Sequence, residues 1–391
     1  MLQKADARGS ETERLRIFDF RFSIFDLDFQ PMQSKIENRK SKIPSLLPAG
    51  LRWAGPLLAA GYGLGSRLHR ALSRPRYAPL ATLCIGNITV GGTGKTPATE
   101  YFARGLALRG RRPAVLLRGY KEQAGDEAVE LRSALDGLRI PMFIGADRRA
   151  SGAKAREQGC DVALLDDGFQ HWRLARDLDI VLVDATAPFG GFHLVPWGRL
   201  REGPEALSRA GVVIITRADM IPAADLSELE KQVAHYAPRA ALAKARHRPV
   251  ALRECVKGGI RLGLELLKET PVFAASGLGN PRAFPRALSG LGAKVLGHSC
   301  YPDHFAYTPL ELDSMISAAK KAGAKALVVT AKDSAKLEPL ASVAAFPVWA
   351  LIIQFDFLEN GEAVWARVVE ALAAGDKRVG LEPQMNTDKH R

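Results

Sequence analysis

A glycine-rich run that ends in lysine and threonine is the part of this chain best suited to chemistry. Gly91-Gly92-Thr93-Gly94-Lys95-Thr96 follows an apolar stretch at 80–85 and precedes a helix-like stretch at 96–109. A strand, a glycine loop and a helix start form a phosphate cradle, because backbone N–H groups and the helix N-terminus face the anion. The lysine of such a loop reaches the β- and γ-phosphates, and the threonine hydroxyl holds Mg²⁺. The strict pattern has glycine where this chain has Thr89, and the paired glycines compensate. The predicted nucleotide-binding residues are Thr89, Gly91, Gly92, Thr93, Gly94, Lys95 and Thr96.

A second chemical signal is an apolar run that ends in two carboxylates. The segment Asp166-Asp167-Gly168-Phe169-Gln170-His171 follows the apolar residues 162–165. A strand that ends in Asp opposite a phosphate loop binds Mg²⁺ directly or through water. Adjacent residues at a strand end point in different directions, so one carboxylate is expected to face the metal and the other to orient Lys95 or structural groups. The alternatives are an acidic turn and, for His171 and Gln170, ordinary loop residues.

Two other segments offer a proton acceptor. Asp126 follows a glycine at the start of a helical pattern, where it is either an N-cap or a base for an attacking hydroxyl. His304 lies in a Pro-Asp-His loop at 301–307, with Asp303 beside it to tune its pKa. The alternative for the second pair is a structural Asp–His contact.

Two Thr-x-x-Asp segments follow apolar runs. Thr216-Arg217-Ala218-Asp219 weakly resembles the guanine-reading loop of GTPases, with arginine in place of lysine, and Thr330-Ala331-Lys332-Asp333 is similar in kind. Each is expected either to contact a nucleotide base or simply to end a strand.

From residue 80 onward, short apolar runs alternate with helical patterns. This alternation predicts βαβ units and a doubly wound, mostly parallel sheet of the P-loop NTPase type, followed by a smaller C-terminal α/β lobe. The carboxyl ends of the strands then meet beside the phosphate loop. The predicted segments are an extension or mis-called start at 1–44, a basic amphipathic segment at 45–79, a P-loop core at 80–240, a linker at 241–268, the C-terminal lobe at 269–375 and a polar tail at 376–391.

Composition narrows the function classes. The 391 residues carry a formal charge of +13, which favours a polyanionic partner over a neutral one. The four cysteines, Cys84, Cys160, Cys255 and Cys300, show no CxxC spacing and are expected to be reduced core residues. The longest apolar candidate, 53–64, falls short of the roughly 20 residues that span a bilayer. No aromatic-basic groove motif supports a nucleic-acid partner.

The basic segment predicts contact with an anionic membrane. Between residues 51 and 80 there are five arginines and no acidic residue, and apolar residues recur at helical spacing. An apolar stripe beside cations suits an anionic lipid surface. The alternative is a helix packed on the protein's own core. The stripe consists of Trp53, Leu57, Leu64, Leu68 and Leu72, and the arginines are Arg52, Arg67, Arg70, Arg74 and Arg76.

Taken together, these motifs resemble the tetraacyldisaccharide 4'-kinase family, the lipid A 4'-kinases of Gram-negative bacteria. The resemblance covers residues 50–375. It rests on 86–97, with Asn-x-Thr-x-Gly-Gly-Thr-Gly-Lys-Thr-Pro at 87–97, and on Arg118-Gly119-Tyr120, Gly125-Asp126-Glu127, Asp166 to His171, Leu200-Arg201-Glu202, Gly277 to Pro281, Pro302-Asp303-His304 and Thr330 to Asp333. The stretch between Tyr120 and Asp126 is shorter than is usual in that family.

The resemblance implies transfer of the ATP γ-phosphate to the 4'-hydroxyl of a tetraacyldisaccharide 1-phosphate. It implies ATP and Mg²⁺ as cofactors, an anionic lipid disaccharide as substrate, peripheral attachment to the cytoplasmic face of the inner membrane, and no stable protein partner. Asp126 becomes the leading base, assisted by His304, and Arg148 and Arg149 are expected to meet the 1-phosphate. The implied catalytic residues are Asp126, His304 and Lys95; the metal residues are Thr96, Asp166, Asp167 and Glu202; the substrate residues are Asn87, Arg118, Arg148, Arg149 and His171.

The main alternative is a P-loop GTPase or metallochaperone-type NTPase that acts through a protein partner. It predicts a guanine preference and partner-stimulated hydrolysis, without a lipid acceptor.

Overall fold

The structure is a computed structural model that describes residues 53–119, 128, 131–132, 135, 138–256, 258–277, 283–302, 305–341 and 345–380. The predicted extension at 1–44, the candidate base Asp126 and the candidate assistant His304 lie outside the described residues.

The phosphate loop leaves the middle of a mostly parallel sheet. Strand β1 is buried along its whole length and pairs in parallel with β4 on one side and β5 on the other. Near-continuous apolar runs such as Val212–Thr216 suit strands covered on both faces. The strands of this half are β1 (Ala81–Asn87), β2 (Pro113–Leu117), β3 (Met142–Ile144), β4 (Val162–Asp166), β5 (Leu178–Asp184), β6 (Val212–Thr216) and β7 (Ala241–Glu254).

The second half of the chain continues the same sheet. Strands β9, β10 and β11 are parallel to one another, and β12 runs antiparallel to β7. Among the described residues the order is β10-β9-β11-β12-β7-β6-β5-β1-β4-β2-β3, with β8 paired to β7. These strands are β8 (Arg261–Leu262), β9 (Pro271–Ser276), β10 (Lys294–Cys300), β11 (Ala326–Thr330) and β12 (Val348–Glu359). The predicted α/β class with a mostly parallel sheet is confirmed.

Helices cover both faces of the sheet and form separate apolar clusters with it. Phe102 and Leu106 of α2 pack with Val364 and Val368 of α8 on one face, whereas Leu229 of α4 packs on the other. The helices are α1 (Gly55–Leu72), α2 (Lys95–Leu108), α3 (Arg148–Glu157), α4 (Ala223–Tyr236), α5 (Ala283–Gly290), α6 (Pro309–Lys321), α7 (Ala331–Ala341) and α8 (Gly361–Val379). The segment predicted as a polar tail thus begins within α8, where Asp376 is buried against both outer nitrogens of Arg111.

The segment predicted as a linker, 241–268, contains the long strand β7. Ala243 and Ala245 are buried, while Lys244 between them carries a charge. Lys244 forms ion pairs with Glu230 and Glu359, and Asp356 of β12 accepts a hydrogen bond from Arg246. The strand therefore joins the two halves of the sheet.

Helix α1 is attached through its small residues and leaves its large ones in solvent. A Cβ at Gly55 would clash with the Trp197 ring, and one at Gly63 would crowd Leu194, so the glycines permit close packing. Trp53, Leu57, Leu64 and Leu72 each expose between 70% and 77% of their surface. None of the described helices is both long and apolar enough to pass through a membrane.

The cysteine prediction is right for three residues and wrong for one. Cys84, Cys160 and Cys255 are buried thiols, as expected of core residues. Cys300 is exposed at the end of the edge strand β10, with its Sγ 3.2 Å from Nδ1 of His298.

Candidate active site

The phosphate loop spans from the end of β1 to the start of α2. Gly91 and Gly94 have φ angles of 108° and 90°, which are accessible to glycine at little cost. Asn87 donates from Nδ2 to the Thr93 hydroxyl at 3.0 Å, so the predicted substrate residue Asn87 contacts the loop itself. Lys95 is buried, and Thr96 follows it in the first turn of α2. The first N–H groups of a helix have no intrahelical partner, which makes them available to an anion.

Two side chains at the end of β6 bind the phosphate loop. The hydroxyl of Thr216, the last residue of β6, donates to the Thr93 carbonyl at 3.0 Å, and Arg217 donates from Nη2 to the Gly92 carbonyl at 3.0 Å. Arg217 also forms an ion pair with Asp184 at the end of β5. These two hydrogen bonds restrain the backbone of the loop. The Thr216–Asp219 segment thus contacts the phosphate loop directly.

The adjacent residues Asp166 and Asp167 contact different side chains. Asp166 ends β4 and accepts a hydrogen bond from the Thr99 hydroxyl of α2 at 2.8 Å. Asp167 has a positive φ of 50°, and its Oδ1 lies 3.6 Å from Lys95 Nζ. Arg201 approaches both carboxylate oxygens of Asp167, at 2.8 and 2.9 Å. Burial opposes ionisation of Asp167, but Lys95 and Arg201 outweigh it and lower its pKa below the usual value.

A polar network links Glu202 to the same site. Gln170 donates from Nε2 to the Asn87 carbonyl at 3.0 Å and to Glu202 at 2.9 Å. Arg209 donates to Glu202 at 3.0 Å and lies over the ring of Phe169, 4.3 Å from its centre. The predicted metal residue Glu202 is therefore held by Gln170 and Arg209, and Gln170 also binds the end of the strand that leads into the phosphate loop.

The carboxylates suit a cation that takes oxygen ligands. Asp166, Asp167 and Glu202 lie around the loop, together with the hydroxyl-bearing Thr96, and oxygen donors are what Mg²⁺ prefers. Within the described part of the chain no group of three or more His, Cys, Asp or Glu side chains is placed to hold a metal alone. Mg²⁺ is commonly bound through one or two carboxylates plus substrate phosphates.

Comparison with known proteins identifies the family. The sequence model described as tetraacyldisaccharide-1-P 4'-kinase (LpxK) matches residues 51–373. The chain belongs to this family. The tetraacyldisaccharide 4'-kinase of Anaeromyxobacter sp. strain Fw109-5 is 39% identical over 85% of this chain and 92% of its own length. That of Halothermothrix orenii is 34% identical over 68% of this chain and 76% of its own.

A solved structure supports the same assignment. LpxK from Aquifex aeolicus, crystallised in an "apo" form in complex with ATP, is 25% identical, with a TM-score of 0.60. The match covers 82% of this chain and 99% of that one. The predicted P-loop fold and the predicted kinase family are therefore confirmed.

In this member of the family, a cluster of positive groups lies near the paired aspartates. Arg148 is almost fully buried, donates from Nη1 to the Gly145 carbonyl at 3.0 Å, and has no partner for its Nε among the described residues. Burial and the neighbouring Arg118 lower the Arg148 pKa to about 10. Burial, followed by Arg148, Arg176 and Arg118, lowers the His171 pKa to about 4. At neutral pH the cluster thus combines two cations with an uncharged imidazole.

Consecutive residues of α3 face different surroundings. Arg149 is exposed and donates from Nε to the Tyr77 carbonyl at 3.3 Å. It borders a cavity of about 460 Å³ that Arg378 and Val379 also line. The two arginines predicted to meet one phosphate are therefore not brought together.

In the C-terminal half of the kinase, the second Thr-x-x-Asp segment connects loops. Asp333 accepts hydrogen bonds from the Gly277 N–H at 3.0 Å, the Tyr307 hydroxyl at 3.1 Å and the Thr330 hydroxyl at 2.6 Å. Burial and this carboxylate raise the Tyr307 pKa far above its usual value. These contacts tie together the carboxyl ends of β9 and β11 and the loop before α6.

Three contributors to the site were not assigned a role from sequence. Arg201 pairs with Asp167, Arg209 supports Glu202, and His247 of β7 touches Gly94. Arg201 lies in a matched family segment, but nothing local signals its partner, 34 positions away. His247 carried no signal because it lies in the segment interpreted as a linker.

Proposed function

We propose that this chain transfers the γ-phosphate of ATP to the 4'-hydroxyl of a tetraacyldisaccharide 1-phosphate. The observation that carries the proposal is the placement of Lys95 Nζ, at the start of α2, 3.6 Å from Asp167 after β4. A cation on the phosphate loop beside a carboxylate at the neighbouring strand end is the arrangement that phosphoryl transfer needs for charge neutralisation. Family membership supplies the acceptor class.

Mg²⁺ fits the oxygen donors of this site, with Thr96 and Asp167 as its principal protein ligands and Asp166 and Glu202 as further candidates. The ion supplies neutralisation of the phosphate charge when bound. Arg201 holds both oxygens of Asp167, so it sets the direction of that carboxylate. Thr99 does the same for Asp166.

Asp126 is proposed as the base that accepts the proton of the acceptor hydroxyl, with His304 as its assistant. Both assignments rest on the family motifs and on their predicted places in loops at the carboxyl ends of strands. A positioned base contributes about 10²–10⁴ to the rate of such a reaction.

The cluster of Arg118, Arg148 and His171 is proposed to bind an anionic group of the lipid. A buried guanidinium with an unpartnered Nε is suited to a phosphate, because an arginine–phosphate pair forms directional, charge-assisted hydrogen bonds. The uncharged His171 adds a hydrogen-bonding group without further repulsion. Arg149, which faces away from Arg148, is proposed to meet the substrate at its periphery.

Helix α1 is proposed to hold the protein on the cytoplasmic face of the inner membrane. Its exposed apolar residues and the exposed Arg67, Arg70, Arg74 and Arg76 form one basic, apolar segment. Burial raises the pKa of Tyr62 in this helix, and Arg201 and Glu202 lie close enough to influence that pKa as well. A lipid substrate drawn from the membrane would thus meet the site beside α1.

The test is transfer of ³²P from γ-labelled ATP to purified tetraacyldisaccharide 1-phosphate, with products separated by thin-layer chromatography. We expect a labelled lipid product that requires ATP, Mg²⁺ and the acceptor together. Labelled inorganic phosphate without labelled lipid would refute the proposal. A preference for GTP, with hydrolysis stimulated by a protein partner, would favour the NTPase alternative instead.

A further inference from the structure

The two sides of the phosphate loop offer different side chains to a bound nucleotide. On one side of β1, β4 ends in Asp166, which Asp167 follows; on the other side lie β5, β6 and β7. Ligands of open α/β sheets lie across the carboxyl ends of the strands. If the terminal phosphates face Lys95 and Asp167, the nucleoside extends toward the ends of β6 and β7.

Two residues stand at those ends. The parallel pairing of β6 and β7 ends at Ile215 and Lys244. Arg217 follows β6 directly, in the left-handed conformation at φ 52°. His247 lies three residues beyond Lys244, where β7 already pairs with Phe355 of β12. Both residues therefore lie past the carboxyl ends of the paired parallel strands, on the side of β1 opposite to Asp166 and Asp167.

His247 is in direct contact with the phosphate loop. A Cβ built on Gly94 would lie 2.2 Å from Nε2 of His247, so a larger residue at that position would collide with the ring. Glycine is therefore favoured at position 94 for two reasons. The backbone there has a positive φ of 90°, and the imidazole occupies the space that a side chain would fill. The Nε2 atom is shielded from solvent and has no hydrogen-bond partner among the described residues. A shielded polar atom without a partner is unfavourable, because it has lost its hydrogen bonds to water.

The imidazole is uncharged at neutral pH. Burial, and secondarily the positive charge of Arg217, lowers the pKa of His247 to about 3. A neutral imidazole attracts a phosphate only weakly, because a phosphate binds best to a cation. It is better suited to hydrogen bonds with neutral groups such as hydroxyls and ring nitrogens. The phosphates are already served by Lys95 and by the backbone of the loop.

We infer that His247 is a nucleoside-binding residue of this site, whose ring hydrogen-bonds the ribose or the base of the bound nucleotide. The inference rests on the proposed use of ATP. The contact with Gly94 places the His247 ring next to the phosphate loop. Arg217 donates a hydrogen bond to the Gly92 carbonyl of the same loop.

The experiment compares the binding of ATP with that of inorganic tripolyphosphate, which has the phosphates and no nucleoside. Calorimetry with Mg²⁺ is run on the full chain, on His247→Ala and His247→Gln, and on the control His235→Ala, an exposed histidine of α4. We expect His247→Ala to weaken ATP by roughly tenfold and to leave tripolyphosphate unchanged. The Gln variant should recover part of the loss, because its amide nitrogen reaches the place of Nε2. His235→Ala should match the wild type.

The other possible results separate the explanations. An equal loss for ATP and tripolyphosphate would overturn the inference, because His247 would then only support the loop. Unchanged ATP binding in His247→Ala would overturn it as well, whereas absent ATP binding in the wild type would refute the proposed function itself. A loss that disappears when 2'- or 3'-deoxy-ATP is used would assign the bond to the ribose, and a loss that persists with both would assign it to the base.

Discussion

Lys95 Nζ lies 3.6 Å from Oδ1 of Asp167, and this contact joins the start of α2 to the turn after β4. Arg201 contacts both oxygens of the same carboxylate, at 2.8 and 2.9 Å. The lysine is thus held over the phosphate loop by a carboxylate that is itself fixed. Any phosphate on the loop meets a cation whose position is set before binding, which is the preorganisation that phosphoryl transfer exploits.

Replacement of Lys95 or Thr96 by alanine should abolish phosphoryl transfer and leave the fold intact. Lys95→Ala removes the cation over the β- and γ-phosphates, and Thr96→Ala removes a metal-binding hydroxyl. We expect kcat/KM to fall by more than about 10²-fold, with an unchanged melting temperature. Lys154→Ala, an exposed lysine of α3, is the matched control. If both variants kept more than about a tenth of the activity, they would have lost less than ~1.4 kcal/mol and the site assignment would be wrong.

His171 should make the protein less stable as the pH falls from about 6.5 to about 4. Its pKa is about 4 in the folded protein, against about 6.5 in an unfolded chain. The unfolded state therefore binds the proton first, so the free energy of unfolding decreases through this window and is fully restored above it. At pH 5 the loss stays below about 2 kcal/mol for this one group, because solvent around the partly exposed imidazole screens the neighbouring charges.

The measurement is urea unfolding at pH 7 and pH 5. The difference between the two pH values should be smaller in His171→Gln than in the wild type, whatever the variant's stability at pH 7. His235→Gln should keep the wild-type difference. An identical difference in all three proteins would show that His171 titrates alike in both states.

Sequence reasoning located this site because its chemistry is local. The phosphate loop, the strand that ends in Asp166 and the strand boundaries Pro113–Leu117 and Val212–Thr216 are each encoded within one short segment. Burial on both faces makes such strands apolar throughout, and glycine is required where φ is positive. These signals need no knowledge of the partner segment.

The parts that were missed depend on distant partners. Strand β7 was interpreted as a linker because Lys244, Arg246 and Arg248 gave it a polar composition. Lys244 lies between the buried Ala243 and Ala245, and all three cations pair with acidic residues on other elements. Helix α7 begins directly at Ala331, after β11 ends at Thr330, so no loop marked it. Tertiary ion pairs and the absence of a loop are invisible in a local pattern.

Helix α1 should bind anionic membranes through both charge and apolar contact. Replacing Arg67, Arg70, Arg74 and Arg76 by glutamine should weaken binding to vesicles that contain an anionic lipid by about 1 kcal/mol per charge near the surface. High salt should have a similar effect on the wild type, since screening shortens the range of the attraction. Vesicle sedimentation measures both.

A matched control removes charge elsewhere. Lys320, Lys321 and Lys325 are exposed on and after α6, and their replacement by glutamine should leave vesicle binding unchanged. Replacing Leu57, Leu64 and Leu68 by serine should weaken binding even at low salt, because these exposed side chains supply the apolar contact. Binding to neutral vesicles that does not depend on salt concentration would argue against this mechanism.

Asp126 and His304 should act as one unit on the acceptor hydroxyl. Asp126→Asn should lower kcat by about 10²–10⁴, the usual contribution of a general base, and leave ATP affinity nearly unchanged. His304→Ala should also lower kcat. The double variant should be much less impaired than the product of the single effects, because groups that move the same proton are not additive. Single-turnover transfer of ³²P to the lipid, beside calorimetry with ATP, measures both quantities.

The competing explanation is that Asp126 only caps a helix. It predicts a lower melting temperature and an unchanged kcat. A lost N-cap destabilises a protein by about 0.5–2 kcal/mol and does not slow the chemical step of the molecules that remain folded. Asparagine can still cap a helix and alanine cannot, so Asp126→Ala is compared with Asp126→Asn. A melting temperature several degrees lower in Asp126→Ala than in Asp126→Asn, with an unchanged kcat for the folded fraction of both, would assign the residue to capping. Asp147→Ala is the matched control for a lost cap, since Asp147 caps α3 and accepts hydrogen bonds from the Arg149 and Ala150 N–H groups. It should lower the melting temperature, whereas a loss of kcat in both Asp126 variants would identify Asp126 as the base.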